Sequence, residues 1–177
     1  MLAGEQLAAT EPRRWRHVQS VARRGEEIAA VVVPDTDVLI AAAWLHDIGY
    51  APELVDTGFH PLDGARWLRR AGVDDRIAAL VAHHSCASLE ADERGLADAL
   101  RSEFPPEESA TADALWFCDM TTGPNGELLT PPDRIAEIKA RYGPGAVVTR
   151  FIARAEPELL AAARRTEQRL RAVGQPI

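Results

Sequence analysis

The stretch AAAWLHDIGY, residues 41–50, is mostly apolar and ends on a titratable pair. Together with the preceding VLI it forms an apolar run that is typical of a buried helix. The run closes on His46 and Asp47, which are adjacent in the chain. Because an ionised carboxylate in a core is costly unless it is paired or bound to a metal, the stretch predicts a core helix that carries functional side chains inward.

Helical signals continue along the whole chain, and no alternating strand pattern or internal repeat occurs. Pro12 is typical of a helix start, and Asp35 can cap a second helix that runs to Gly49. The predicted helices cover about residues 12–33, 35–49, 61–72, 74–84, 89–103, 109–120, 132–142 and 145–172. We therefore expect an all-α fold, a single-domain helical bundle over residues 1–177.

Composition narrows the class of protein. The chain has 177 residues, 46% of them hydrophobic, and a net charge of −7. A core of its own is expected, whereas broad binding to duplex nucleic acid or to an anionic membrane is not. No secretion signal or membrane-length apolar run is apparent, which favours a cytoplasmic location. Cys86 and Cys118 lack metal-type spacing and are expected to be free thiols.

All five histidines fall between residues 17 and 84. Helical phase places several of them, and two aspartates, on apolar faces of separate helices. In the HH pair the phase favours His84, which shares a face with Ile77 and Leu80, over His83. His60 precedes Pro61 and is expected to reach inward from the start of a helix. The candidate inward-facing ligands are His17, His46, Asp47, His60, His84 and Asp119.

This set of donors has a chemical preference. Neutral imidazoles combined with carboxylates suit a divalent metal ion. Six donors exceed the four that a tetrahedral zinc site takes, and they are better shared between two ions. We expect two divalent ions as cofactors, with Fe, Mn, Zn and Mg all open.

The order His17, then His46-Asp47, then Asp119 resembles the HD superfamily of metal-dependent phosphohydrolases. HPLDGARWL (residues 60–68) is similar to the extra histidine segment of its dinuclear members. VAHHS (residues 81–85) and WFCDMTTGPNG (residues 116–126) resemble the next histidine segment and the closing aspartate. The resemblance covers about residues 13–122 and implies an HD-type domain with additional C-terminal helices at about 132–172. It also implies that Asp47 bridges two ions.

The resemblance implies hydrolysis of a phosphate ester by a metal-activated hydroxide. The expected partner is a small phosphorylated substrate such as a nucleotide. Asp47 is the central catalytic residue of this hypothesis, while His83 and Asp63 are candidates for the general acid. Arg24 and Arg66 are candidates for contacting the substrate phosphate.

Two other functions stay open on sequence grounds. Some proteins of this fold hold two irons and oxidise a substrate with O₂. A third hypothesis is a non-catalytic module in which metal stabilises the bundle. The sequence also leaves open the substrate and whether the chain forms a homo-oligomer.

Overall fold

Helices form the whole framework of residues 2–174, the part of the chain that this computed structural model describes. Within these residues the only β-type pairing is an isolated bridge between Thr122 and Leu128. The all-α prediction is therefore confirmed. The helices are α1 (Leu2–Leu7), α2 (Pro12–Val32), α3 (Thr36–Leu45), α4 (His60–Arg70), α5 (Asp75–His83), α6 (Ala87–Arg94), α7 (Ala97–Glu103), α8 (Ala110–Met120), α9 (Pro131–Tyr142) and α10 (Val147–Ala172).

Helix α2 begins where the sequence predicts. Pro12 occupies the first turn, where a missing N–H costs nothing because that donor has no intrahelical partner. The apolar stripe that includes Val18, Val21 and Ile28 is buried. This stripe turns His17, which precedes Val18, toward the interior as well.

Helix α3 is shorter than predicted. It ends at Leu45 instead of Gly49, and a 3₁₀-helix at Ile48–Tyr50 follows it. The backbone leaves the α-helical path at Asp47, which has φ −103° and ψ 10°. His46 and Asp47 consequently lie at the end of the helix, where successive side chains can both face the interior.

The segment after α5 also departs from the prediction. Helix α5 ends at His83, and His84 takes an extended conformation with ψ 149°. Ser85 and Cys86 then adopt left-handed φ values of 47° and 60°, which non-glycine residues rarely do. A single helix over about 89–103 was expected, but Gly95 at φ 71° ends α6 and separates it from α7.

The two C-terminal helices pack onto the helices that carry the motifs. Helix α10 lies against α8, α9, α2 and α6. Its Phe151 and Ile152 share a buried cluster with Met120 of α8 and with Ile135 and Ile138 of α9. One wall of the region around the end of α8 is therefore built from residues 131–172. No helix among residues 2–174 is both long enough and apolar enough to cross a membrane.

Candidate metal centre

The six predicted ligands meet in the interior as two adjacent groups of three. His17, His46 and Asp119 form the first group, and Asp47, His60 and His84 form the second. Within each group the donor atoms all lie within 4.8 Å of one another. Five of the six are buried, and the side chain of His60 retains 15% of its exposure.

The first group joins three helices that are distant in sequence. His17 lies on α2, His46 follows α3, and Asp119 lies on the last turn of α8. The Nε2 atom of His17 is 3.1 Å from Oδ1 of Asp119. The second Asp119 oxygen, Oδ2, accepts a hydrogen bond of 2.5 Å from the Ser85 hydroxyl. The left-handed backbone at Ser85 thus holds a hydroxyl against a candidate ligand.

The second group brings together the start of α4 and the end of α5. The Nε2 atoms of His60 and His84 are 3.2 Å apart. Oδ1 of Asp47 lies 3.3 Å from Nε2 of His60 and 3.7 Å from Nε2 of His84. All three donor atoms therefore converge on one small volume.

Asp47 stands between the two groups. While its Oδ1 faces His60 and His84, its Oδ2 is 3.4 Å from Nε2 of His46 and 3.8 Å from Nε2 of His17. A carboxylate placed in this way can offer one oxygen to each of two cations. This geometry is what a ligand shared by two ions requires.

Main-chain carbonyl groups fix the orientation of three of the imidazoles. The Nδ1 atoms of His17, His46 and His84 contact the carbonyl oxygens of Gly123, Ala43 and Val81 at 3.0, 2.8 and 2.6 Å. A carbonyl oxygen only accepts, so Nδ1 carries the proton, and in the neutral ring Nε2 is left as the inward lone pair. Nε2 of His46 is buried and has no hydrogen-bond partner. This arrangement matches metal-binding histidines, whose second nitrogen donates to an oxygen.

The two carboxylates of the centre are ionised. Burial alone would raise the pKa of Asp47, but the charge of Arg14 and that of His46 outweigh it and hold the pKa well below its usual range. For Asp119 burial is likewise outweighed, by the hydrogen bond and charge of His17, and its pKa is lowered. Two buried negative charges thus lie among four imidazole rings, and a divalent cation would balance them.

The imidazoles respond to these charges in opposite ways. Burial, with the charges of His60 and His46, lowers the pKa of His84 to about 4, so this ring is neutral at pH 7. Burial also acts to lower the pKa of His46, but the charge of Asp47 outweighs it and the pKa is raised. Without a cation, the carboxylates therefore draw a proton toward His46. A divalent ion would compete with that proton for the Nε2 lone pair.

Two glycines, Gly49 and Gly64, allow α4 to approach the 3₁₀ turn that follows Asp47 closely. A Cβ added to Gly49 would lie 2.0 Å from the carbonyl oxygen of His60 and 2.7 Å from the amide nitrogen of Gly64. A Cβ on Gly64 would lie 3.0 Å from the amide nitrogen of Gly49. The two backbones are therefore in direct contact. This contact places His60 beside Asp47.

Two of the residues around the centre that sequence reasoning missed are Arg14 and Tyr50. Nη1 of Arg14 donates a 2.8 Å hydrogen bond to Oδ2 of Asp47, and its guanidinium lies 3.9 Å from the centroid of the Tyr50 ring. Tyr50 in turn stacks on His60 with ring centroids 4.0 Å apart. Spacing held a signal for both residues, because Arg14 is about one helical turn before His17 and Tyr50 closes the turn after Asp47.

Asp63 and His83 do not take the positions that a general acid would need. The Asp63 carboxylate accepts hydrogen bonds from the backbone N–H groups of Asp56, Thr57 and Gly58 and so holds the loop before α4. Nε2 of His83 contacts the carbonyl oxygen of Phe104 at 2.8 Å. Neither residue lines the cavity beside the metal centre. We therefore give neither a part in catalysis.

The two arginines suggested for phosphate contact are also engaged elsewhere. Arg24 pairs with Glu27 at 3.3 Å, and its guanidinium lies over the Phe117 ring. Arg66 binds Glu103 through two nitrogens. The arginines that line the cavity beside the centre are Arg14, Arg134 and Arg141.

Comparison with known proteins agrees with this geometry. The model of the HD domain family matches residues 14–142, and the chain belongs to that family. The HD domain and the clustered histidines and aspartates together make this a centre suited to divalent metal ions. No solved structure matches the chain significantly.

Two relatives carry the name tRNA (cytidine(56)-2'-O)-methyltransferase. The protein from Thermoplasma volcanium is 35% identical over 91 residues, which are 51% of this chain and 25% of the relative. The protein from Picrophilus torridus is 32% identical over 78 residues, which are 44% of this chain and 22% of the relative. The chain therefore matches about a quarter of the length of these relatives.

Proposed function

We propose that the chain is a metal-dependent phosphohydrolase that cleaves a small phosphate ester with two divalent ions. The observation that carries the proposal is the position of Asp47, with one oxygen toward each group of inward-facing donors. His17, His46 and Asp119 would hold one ion, and His60 and His84 the other. Asp47 would be shared by both.

The ions, when bound, would lower the pKa of a water molecule from ~15.7 toward ~7 and offset the charge of a phosphoryl group. The chain's own residues prepare the site for this. The ionised Asp47 and Asp119 supply the negative charge that holds cations. The carbonyl contacts of the Nδ1 atoms fix the rings of His17, His46 and His84 before any ligand arrives, so these rings need little reorganisation.

The surroundings of the centre favour an anionic substrate. Arg14 lies at the cavity wall, and its guanidinium is positioned by Tyr50 and Asp47. Arg134 and Arg141 also line the cavity, and Met120 and Phe151 add apolar surface to it. With two divalent ions bound, the three arginines of the cavity would add to the positive charge that attracts a phosphate group.

Methyl transfer to tRNA is the activity named for the two archaeal relatives. The aligned residues amount to about a quarter of those proteins. We therefore base the proposal on the HD domain and its side chains, and do not extend methyl transfer to this chain.

The proposal is tested by purifying the chain without chelator and loading it separately with Mn²⁺, Fe²⁺, Zn²⁺ and Mg²⁺. Phosphate release is then measured over a panel of phosphomonoesters and nucleotides, with Asp47→Asn as the inactive control. Turnover by the wild-type protein and none by the variant is the expected result. Oxygen consumption by the iron-loaded protein without phosphate release would instead establish an oxygenase. A fully loaded protein inactive in both assays would favour a non-catalytic module.

A further inference from the structure

Helix α9 delivers a buried arginine to the cavity beside the metal centre. Arg134 is only 3% exposed, although arginine is rarely buried unless its charge is balanced. Its Nη2 lies 3.9 Å from Oδ1 of Asp119, which is too long for a hydrogen bond. The guanidinium thus lies next to a candidate ligand without being bound to it.

The hydrogen-bonding capacity of Arg134 is mostly unused. A guanidinium has five N–H donors. Among residues 2–174 the side chain makes one hydrogen bond, from Nη1 to Oε2 of Glu137, and its buried Nε has no partner. Leaving donors of a buried charged group unsatisfied is costly, so the arrangement is best explained by a ligand that accepts from them.

A second arginine shares the same carboxylate. Nε of Arg141 is 3.2 Å from Oε1 of Glu137, while Arg134 uses the other oxygen. Glu137 therefore holds Arg134 in place from one side while Asp119 attracts it from the other. The planar guanidinium is fixed beside the centre before a substrate enters, as bidentate recognition of a phosphate requires.

Part of the cavity wall is apolar. Ile138 of α9 and Val148, Phe151 and Ile152 of α10 contribute apolar surface to it. An apolar leaving group would contact this surface, whereas the ribose and base of a nucleoside would lose hydrogen bonds to water there.

We propose that Arg134 binds the phosphoryl oxygens of the substrate and that the α9–α10 wall selects a phosphate monoester with an apolar leaving group over a nucleotide. This inference rests on the proposed phosphohydrolase function. It assigns substrate recognition to helices that lie outside the segments carrying the His and Asp motifs.

The test compares wild-type protein with Arg134→Gln and Arg134→Lys, and uses Arg164→Gln, an exposed arginine on α10, as the matched control. Metal content, binding of inorganic phosphate by calorimetry, and kcat and KM for phenyl phosphate and AMP are measured on each. We expect Arg134→Gln to weaken phosphate binding and to raise KM for phenyl phosphate by about 10- to 100-fold, as loss of hydrogen bonds from a charged donor predicts. Metal content should stay at the wild-type level. Arg134→Lys retains the charge, so its KM for phenyl phosphate and its phosphate affinity should lie between those of the wild type and those of Arg134→Gln.

The relative kcat/KM for two substrates provides a second test of the proposal. Wild-type kcat/KM for phenyl phosphate should exceed that for AMP by at least about 10-fold. Equal or greater turnover of AMP would overturn the proposed selection of an apolar leaving group. If Arg134→Gln binds phosphate as wild type does, or loses metal, Arg134 is not the substrate residue although the hydrolase proposal stands. If the loaded wild-type protein hydrolyses no ester but binds phosphate through Arg134, the hydrolase proposal fails and the anion site remains.

Discussion

The Nε2 atoms of His60 and His84 lie 3.2 Å apart and face each other across the second group of donors. Two imidazole nitrogens bound to one divalent ion at ~2.0–2.1 Å are separated by about 2.8–3.4 Å when the angle at the metal is between about 90° and 109°. The observed separation lies within this range. Asp47, with Oδ1 3.3 Å from His60, completes the group.

Replacing Asp47 should remove both ions. Asp47→Asn keeps the shape of the side chain but loses the charge that both groups share. We expect metal content, measured by plasma mass spectrometry, to fall from two ions per chain to near zero, with phosphate release lost. The control is Asp37→Asn, an exposed aspartate on α3. A variant that still binds two ions would show that Asp47 does not join the groups.

The two adjacent histidines should behave differently. His84→Ala removes a donor of the second group, and we expect it to bind about one ion fewer than the wild type does. His83→Ala should leave metal content unchanged and lower the free energy of unfolding by about 1–3 kcal/mol, because the buried carbonyl of Phe104 loses its partner. Metal titration together with urea denaturation separates the two effects. The reverse pattern would mean that His83 is the ligand.

Gly49 should not tolerate a side chain. In Gly49→Ala the new Cβ would lie 2.0 Å from the carbonyl oxygen of His60, a backbone atom that cannot move without shifting α4. We expect the free energy of unfolding to fall by at least about 2 kcal/mol, and the second group of donors to bind its ion more weakly.

The control for this change is Gly25→Ala in α2. There the added Cβ meets only the Ala43 Cβ at 3.4 Å, an ordinary contact, and alanine favours the helix. Equal stability of the two variants in thermal unfolding would refute the role of the Gly49–Gly64 contact.

The metal-free protein should lose stability on mild acidification through His84. Its pKa is about 4 in the fold, against 6.5 for an unperturbed histidine. As pH falls, the His84 ring is protonated in the unfolded chain before it is protonated in the folded protein. The free energy of unfolding is therefore unaffected by this ring above pH 6.5 and decreases as pH falls from 6.5 toward 4. His46, whose pKa is raised, acts in the opposite direction.

The comparison that isolates His84 is chelator-treated wild type against His84→Gln. Both proteins retain His46, so its effect is common to them. Urea unfolding at pH 7, 5.5 and 4.5 should show that the free energy of unfolding falls more steeply with decreasing pH in the wild type than in His84→Gln. Parallel pH profiles would contradict the buried, neutral state of His84.

The sequence predicted the positions of the helices better than the residues at which they end. The apolar stripe of α2 and the Pro12 start were sufficient to define that helix. By contrast α3 was extended to Gly49, because a continuous apolar run gives no sign of a change to a 3₁₀ turn. That turn depends on the contact of Gly49 with α4, a long-range feature that no local pattern encodes.

The choice of His84 over His83 rested on a helical phase that the chain does not follow. Helix α5 ends at His83, and His84 is directed inward by an extended backbone and by its bond to Val81. The structure places His84 in the second donor group for a different reason from the one inferred. Asp63 shows the converse. It was a candidate general acid on the sequence, but its carboxylate accepts hydrogen bonds from the loop before α4.

The C-terminal residues of the cavity had no sequence signal. Arg134 stands in an ordinary amphipathic helix, and only the packing of α9 beside α8 brings it near Asp119. Its burial depends on the tertiary arrangement of helices from both ends of the chain. The motif-bearing segments thus predicted which histidines and aspartates converge, whereas the position of Arg134 beside Asp119 became visible only in three dimensions.

The most direct test of the two-ion centre is anomalous X-ray scattering from crystals of the Mn²⁺-loaded protein. The account predicts two peaks about 3.5–4 Å apart, one on each side of the Asp47 carboxylate. One peak should be bound by His17, His46 and Asp119, and the other by His60 and His84. A single peak, or ions bound away from these side chains, would contradict it.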